Sequence, residues 1–196
     1  AILEQQPMDN MEQTWLEDLK IQRDQYANRV VLLIGQKRFS EAFRAAKRYL
    51  KMSDKPAARL SFTRFFVEVS EYEKAAQLLS GIKPELLCEE ETNDYLELQR
   101  LSTLGRLEPY IRAYDDPGIA RKAEEILKKD PQNPTAMLYL AETLLQDDKL
   151  DEADALLKQT ATLTLLPQHW QKHSSIMMLL KKKRDNLDTI KKMEIL

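Results

Sequence analysis

The apolar positions of the chain recur at helical spacing in a series of short segments. In the clearest segment, after Pro134, the apolar residues fall three or four positions apart: Met137, Leu140, Ala141, Leu144, Ala153 and Leu157. Such spacing places side chains on one face of a helix. The strict alternation of a half-buried strand is absent, and the β-branched clusters lie within helical patterns. The pattern therefore predicts an all-α fold.

Glycine and proline indicate where the predicted helices begin and end. We place all four glycines and all eight prolines at the edges of periodic segments, because both residues are unfavourable in a helix interior. The run Asp130-Pro131-Gln132-Asn133-Pro134 stops one helix and starts the next. These boundaries predict one domain of four helix pairs, at residues 10–55, 56–90, 91–133 and 134–167, followed by a capping helix at residues 168–196.

Three segments leave alternatives open. Residues 10–35 form either one long helix or two. Gly105 and Pro109 interrupt the third unit, so residues 107–114 are either a short extra helix or an insertion before the next helix; we favour the insertion. The capping helix is either continuous or broken near Asn186.

A short motif recurs at the start of the second helix of three units. Phe39-Ser40-Glu41-Ala42 and Tyr72-Glu73-Lys74-Ala75 are 33 residues apart, and Leu150-Asp151-Glu152-Ala153 has the same form. A period near 34 residues is typical of helix-pair repeats. The alanine is expected where the two helices of a unit cross closely, since a larger side chain would separate them.

The segment from Pro134 to Pro167 resembles the tetratricopeptide repeat family. Met137 stands in the place of the family's Trp, Leu140 and Ala141 in its Leu-Gly places, Leu144 in its Tyr place and Ala153 in its Ala place. A degenerate form extends over roughly two thirds of the chain. The resemblance implies a right-handed α-solenoid of antiparallel helix pairs with a C-terminal capping helix. It also implies an adaptor that binds a segment of a partner protein in a concave groove.

The repeat phase places a mixed, largely apolar set of side chains on the concave side, as candidate partner contacts: Asn28, Leu60, Arg64, Leu138, Tyr139, Glu142 and Leu145. A helical or extended segment could lie against them. The alternative is that the chain's own last helix fills the groove. Family members that grip the C-terminal carboxylate of heat-shock chaperones use Lys and Asn at positions that here hold Ala27, Val31 and Ser61, so that clamp is not expected.

Two further roles remain open. The order of helix pairs is similar to the helical tail of bacterial thioredoxin-fused co-chaperones, which implies a co-chaperone-like, client-holding role, although the chain has no Cys-x-x-Cys. Alternatively, the chain is a structural or oligomerisation segment of a larger assembly, joined through the Trp15 helix and the basic tail. In that case homo-oligomers are expected.

Composition and charge narrow the classes of partner. A net charge of -2 and 43% hydrophobic residues give no bulk attraction to nucleic acid or anionic lipid. The apolar run at residues 30–34 is far shorter than the roughly 20 residues that span a bilayer. We therefore expect a cytoplasmic protein that binds another protein or peptide, without nucleic acid binding or membrane insertion. The basic tail, residues 168–196, carries seven basic and three acidic residues, which suits a solvated helix face better than a polyanion site.

Candidate catalytic chemistry is sparse. His169 and His173 are one helical turn apart, but no third histidine exists to complete a metal site. Cys88, the single cysteine, precedes three glutamates that disfavour a thiolate. No nucleophile elbow or phosphate-binding glycine loop is present. We expect no catalytic residues, no metal and no cofactor, and hence no enzyme.

Overall fold

The computed structural model describes residues 10–53 and 55–194. These residues form nine α-helices and one turn of 3-10 helix at Pro84–Leu86, without a strand. The α-helices are α1 (Asn10–Gly35), α2 (Phe39–Met52), α3 (Pro56–Glu68), α4 (Tyr72–Leu79), α5 (Glu89–Arg112), α6 (Asp116–Lys129), α7 (Pro134–Gln146), α8 (Leu150–Thr160) and α9 (Pro167–Glu194). The all-α prediction is confirmed.

The helices stack as successive pairs. α1 packs against α2, α3 against α4, α5 against α6 and α7 against α8. Consecutive pairs contact each other mainly where α6 packs against α7 and α4 packs against α5, with α3 also packing against α5, and α9 covers α7 and α8. Short connections make the two helices of a pair antiparallel. This is a tetratricopeptide-like helical repeat with a C-terminal capping helix, as the resemblance implied.

The same turn joins the two helices of every pair. One residue of each turn has a positive φ between 52° and 60°, and the next residue donates its N–H to the carbonyl oxygen five positions back, over 2.8 to 3.0 Å. This is the Schellman ending of a helix. The four residues with positive φ are Lys37, Ser70, Tyr114 and Asp148. Since none of these residues is glycine, the amino-acid sequence does not indicate that the same turn recurs in every pair.

In three of these turns, a small residue lies five positions after the residue with positive φ. Ala42, Ala75 and Ala153 have no exposed surface, and each belongs to an apolar cluster that includes residues of its partner helix. In the third pair the small residue is Gly118, one position earlier. A Cβ atom there would lie 2.5 Å from the ring of Tyr110. Each pair therefore nests through a side chain of minimal size.

The helix α5 departs from the regular repeat. It has 24 residues against 13 in α3 and α7, so it is about 16 Å longer. It runs through both Gly105 and Pro109, and the favoured insertion is therefore wrong. Gly105 lies against the ring of Tyr72, where a Cβ atom would come within 2.4 Å of ring carbons. Packing thus explains a glycine that the local pattern assigned to a helix end. α1 and α9 are each one continuous helix.

The turn between α6 and α7 is held by buried polar side chains. Asn133 accepts the N–H of Ala136 at 3.0 Å and so caps α7. Its amide nitrogen donates to the hydroxyl of Thr103 at 3.0 Å and to Asp130 at 2.9 Å. Gln99 also donates to Asp130, at 2.7 Å. The Asp130-Pro131-Gln132-Asn133-Pro134 run therefore fixes α6 and α7 to α5.

Enlarging the small residue of a pair should destabilise the protein. We expect Ala153→Leu to lower the free energy of unfolding by about 1 to 3 kcal/mol, because the site has no space for three more carbon atoms. Ala155→Leu, in the same helix but exposed, should change it by less than about 0.5 kcal/mol. Urea denaturation followed by circular dichroism measures both. Equal effects of the two substitutions would contradict close helix nesting at Ala153.

Candidate functional site

Three of the residues predicted to contact a partner lie in the core. Leu60 and Leu145 are each 3% exposed and Leu138 is 1% exposed. Repeat phase placed them on inner helices, and they do lie on α3 and α7. However, both helices also pack against the element that follows their pair. Leu60 belongs to a cluster with Leu98 of α5, and Leu138 and Leu145 belong to a cluster with Ile176 and Leu180 of α9. Their side chains are therefore not accessible to a partner in this arrangement.

The other four predicted contact residues reach the surface. Asn28 is exposed on α1. Arg64 on α3 forms an ion pair of 2.7 Å with Asp94 on α5. Tyr139 and Glu142 on α7 are half-buried beside α9. Their role in partner binding stays a prediction.

The capping helix α9 engages two of these residues itself. Lys172 on α9 forms an ion pair of 2.6 Å with Glu142, and its Nζ lies 4.0 Å from the centroid of the Tyr139 ring. Burial, followed by the charge of Glu142, raises the pKa of Tyr139. The last helix therefore occupies part of the surface beside α7, which was the alternative considered for the groove.

A small apolar groove lies between α3, the start of α4 and α5. Its volume is about 280 Å³. We call it the inner groove, and it is lined by Val67, Tyr72, Leu101, Leu104, Gly105, Glu108 and Ile111. By helical period, Asp94 shares this face of α5 with Leu101 and Leu104, so the Arg64–Asp94 ion pair lies at the same surface. The inner groove and the Arg64–Asp94 ion pair therefore lie side by side on one surface.

A larger depression lies on the opposite face of α5. Its volume is about 1000 Å³, and we call it the outer cleft. α5 contributes Tyr95, Gln99, Ser102 and Arg106, spaced three or four residues apart. Other lining residues come from α4, residues 80–85, α6, the turn at residues 130–134 and residues 163–164. Sequence analysis missed this cleft, because polar residues at helical spacing are typical of a solvated face.

Polar side chains of the outer cleft are hydrogen-bonded to one another. Asp130 accepts hydrogen bonds from Gln99 and Asn133, and Gln99 also donates to the hydroxyl of Tyr95 at 3.4 Å. Burial, followed by the charge of Asp130, raises the pKa of Tyr95 to about 12. The phenol is therefore neutral at physiological pH, and this side of the cleft offers oxygen acceptors.

The two histidines have structural roles. His169 is 3% exposed; its Nδ1 accepts the N–H of Leu166 at 3.3 Å, so in the neutral ring Nε2 donates to the hydroxyl of Thr135 at 2.9 Å. His173 Nε2 donates to the carbonyl oxygen of Leu157 at 3.1 Å. Among the described residues, no group of three or more potential ligands is arranged to hold a metal.

The basic cluster at the end of α9 is partly used within the protein. Lys183 donates to the carbonyl oxygen of Leu145 at 2.6 Å and pairs with Asp148. Arg184 pairs with Asp151 at 3.1 Å and with Asp154 at 3.0 Å. Hydrogen bonds from Lys158 and Arg184 lower the pKa of Asp154. These contacts hold α9 against the turn between α7 and α8 and against α8.

His169 should make stability depend on pH. Burial, with a smaller contribution from Arg100, lowers its pKa, so the unfolded chain takes up a proton before the folded one does. The contribution of neutral His169 to the free energy of unfolding is complete above the ordinary histidine pKa of about 6.5, and it is lost as the pH falls below that value. We expect the free energy of unfolding to decline between pH 7 and 5.5 in the native chain and to decline less in His169→Gln. Parallel curves from urea titrations would contradict this role.

Comparison with known proteins assigns one segment to a family. Residues 120–165 match the family model of the tetratricopeptide repeat. They cover most of α6, all of α7 and α8 and most of the connection to α9. No match to a curated protein was found. No helix among the described residues has the length and apolar character to cross a membrane. Repeats of this type suggest a general role in protein–protein interaction. The match and the stacked helix pairs together support a tetratricopeptide-like repeat family for this chain.

Proposed function

We propose that this chain is an adaptor that holds a segment of a partner protein against the inner faces of its helix pairs. The observation that carries the proposal is the inner groove. Val67, Leu101, Leu104 and Ile111 line it, and none of them is fully buried. Covering such side chains stabilises a complex by roughly 25 cal/mol for each Å² of apolar surface removed from water.

The ion pair at the same face suits a binding surface. Arg64 is 51% exposed and Asp94 is 48% exposed. Ion pairs so exposed contribute little to folding, typically about 0 to 1 kcal/mol. Either partner can therefore exchange its contact for a group of the bound segment at small cost to the fold. Asn28, Tyr139 and Glu142 extend the same proposal to α1 and α7. The client-holding role implied by the co-chaperone similarity would use this surface too.

Removing the apolar and charged contacts together should weaken capture of the partner. We expect the double variant Arg64→Ser, Leu104→Gln to lose at least about nine tenths of the protein captured from an extract of the source organism, quantified by mass spectrometry. The matched control is Arg121→Ser, Leu86→Gln, in which both residues are exposed and lie outside the two depressions. Both variants should keep the native circular dichroism spectrum.

The comparison of the two double variants decides the proposal. A protein captured equally by the native chain and the control, but not by the inner-groove variant, is the partner. If both variants capture every protein equally, the inner groove does not bind the partner.

A second candidate function, self-assembly, is favoured by the end of α9. Ile176 and Leu180 are 1% and 2% exposed, whereas Leu187 and Ile190, which continue the same stripe at helical spacing, are 43% and 48% exposed. The stripe therefore extends beyond the helices that cover its first half. This is the pattern of a helix that packs against a second helix of another molecule.

Sedimentation equilibrium tests self-assembly. If the exposed stripe joins two copies, the isolated chain should be dimeric at micromolar concentration and Leu187→Lys should make it monomeric. Met178→Lys is the control, because Met178 is 75% exposed but lies on another face of α9. A native chain that stays monomeric at all concentrations excludes assembly through this stripe.

A further inference from the structure

The exposed face of α2 carries a row of basic side chains. Arg44, Lys47, Arg48 and Lys51 are all exposed, and their spacing of three or four residues places them on one side of the helix. The opposite side of α2 is buried in the core. We call these four residues the basic stripe, and it extends over about 10 Å along the helix.

The basic stripe has no counter-charge within the described part of the chain. None of its four side chains forms an ion pair there. The Nζ of Lys47 lies 4.6 Å from the centroid of the Phe43 ring, which is a neutral partner. Elsewhere, exposed basic side chains pair with an acid one turn away in their own helix, as Arg112 does with Glu108.

The four charges of the stripe also repel one another. Arg44 and Arg48 are four residues apart, as are Lys47 and Lys51. Like charges at this spacing destabilise a helix. The stability of α2 therefore does not explain the stripe.

The repeat itself does not require basic residues at these positions. The stripe lies 7, 10, 11 and 14 residues after Lys37, the residue with positive φ in the turn of its pair. The same positions of the other pairs hold largely uncharged residues or charges of both signs: Gln77, Ser80, Gly81 and Pro84; Arg121, Glu124, Glu125 and Lys128; Ala155, Lys158, Gln159 and Thr162. Four basic residues at these positions are a property of the first pair.

The stripe belongs to a larger positive region. Residues 29–59 contain nine basic and two acidic residues, a net charge of +7, whereas the rest of the chain has a net charge of -9. The hydrogen bond from Arg38, together with the charges of Arg44 and Arg29, lowers the pKa of Glu41. Guanidinium groups of α1, of α2 and of the turn between them therefore act on one carboxylate. Positive charge is concentrated in the first helix pair.

A short acidic segment suits this surface better than a long polyanion does. At physiological ionic strength the attraction extends only about 8 Å from a charge. A nucleic acid or an anionic membrane continues beyond the stripe, where the negative remainder of the chain repels it. A helix whose carboxylates recur every three or four residues has the spacing of the stripe, so each carboxylate can meet a basic side chain.

We infer that the basic stripe binds an acidic segment of another protein, in which carboxylates recur every three or four residues along one face of a helix. α2 contributes no lining residue to the inner groove or to the outer cleft. The stripe is therefore a binding surface separate from the adaptor surface proposed above, and it adds a partner of defined charge.

A fluorescein-labelled peptide with four glutamates at the spacing of the stripe, in an alanine-based helical sequence, provides the probe. Its dissociation constant for the full chain is measured by fluorescence anisotropy. A second peptide has the same composition, but its glutamates are distributed around the helix. We expect the first peptide to bind at least about fivefold more tightly, because only its carboxylates face the stripe together.

Two matched double variants test the stripe. Arg44→Gln, Lys51→Gln should raise the dissociation constant of the first peptide at least about fivefold, because two of four contacts are lost. Arg121→Gln, Lys128→Gln removes the same charges from the same repeat positions of α6, where both residues are exposed, and should leave the affinity unchanged. Glu41→Gln should lower the dissociation constant, since it removes a carboxylate beside the stripe.

The adaptor surface is tested separately by Leu104→Gln in the inner groove, which should leave peptide affinity unchanged. Equal affinity of the two peptides, equal effects of the two double variants, or loss of affinity in Leu104→Gln overturns the inference. If Arg44→Gln, Lys51→Gln does not fold, Glu41→Gln decides, and unchanged affinity overturns the inference.

Two other occupants are tested with the same variants. The choice of an acidic protein segment is overturned if single-stranded RNA, or a vesicle containing phosphatidylserine, binds more tightly than the first peptide and depends on Arg44 and Lys51. Residues 85–97 contain six acidic residues and no basic residue, so a second copy of the chain is the other competitor. A dimer in sedimentation equilibrium that Arg44→Gln, Lys51→Gln converts to a monomer would assign the stripe to that copy and overturn the inference.

Discussion

The two helices of each pair can nest only because a minimal side chain stands where they cross. The distance between packed helices depends on the side chains at the contact, and Ala42, Ala75 and Ala153 are fully buried there. A tight turn with a positive φ returns the chain to this crossing in all four pairs. Each pair then presents apolar side chains that the next pair must cover. The stack, its order along the chain and the need for α9 all follow from this contact.

The length of α5 determines where the stack leaves open space. Its neighbours α3 and α7 each have 13 residues, whereas α5 has 24, and α4 has only eight. Part of α5 is therefore bordered by residues 80–85 and by the turn at residues 130–134 instead of by full helices. Loops fill space less completely than helices do. The outer cleft lies on this side of α5 and the inner groove lies on the other, so one long helix separates two surfaces with different chemistry.

Several charged side chains of α9 form ion pairs within the protein. Lys172, Lys183 and Arg184 of α9 are paired with carboxylates of α7, α8 and the turn between them. The positive charge of the basic tail is thereby partly neutralised within the chain. Arg106 is enclosed as well, and its nearest carboxylate, that of Glu73, lies 4.0 Å away. The charges of Glu73, Asp130 and Glu125 favour the protonated guanidinium against the cost of its burial.

The sequence by itself determined the features that depend on neighbouring residues: helices that begin at Pro56, Pro134 and Pro167, and the small residue near the start of α2, α4 and α8. Tertiary structure alone decided the rest. α5 continues past Gly105 because a tyrosine ring from another helix occupies the missing Cβ position. Leu138 is enclosed because α9 covers α7. The polar residues of α5 line the outer cleft because the turn at residues 130–134, which is distant in the sequence, borders it. A 3.6-residue period identifies an apolar face, but contacts between residues far apart in the chain decide which faces are covered and which stay open.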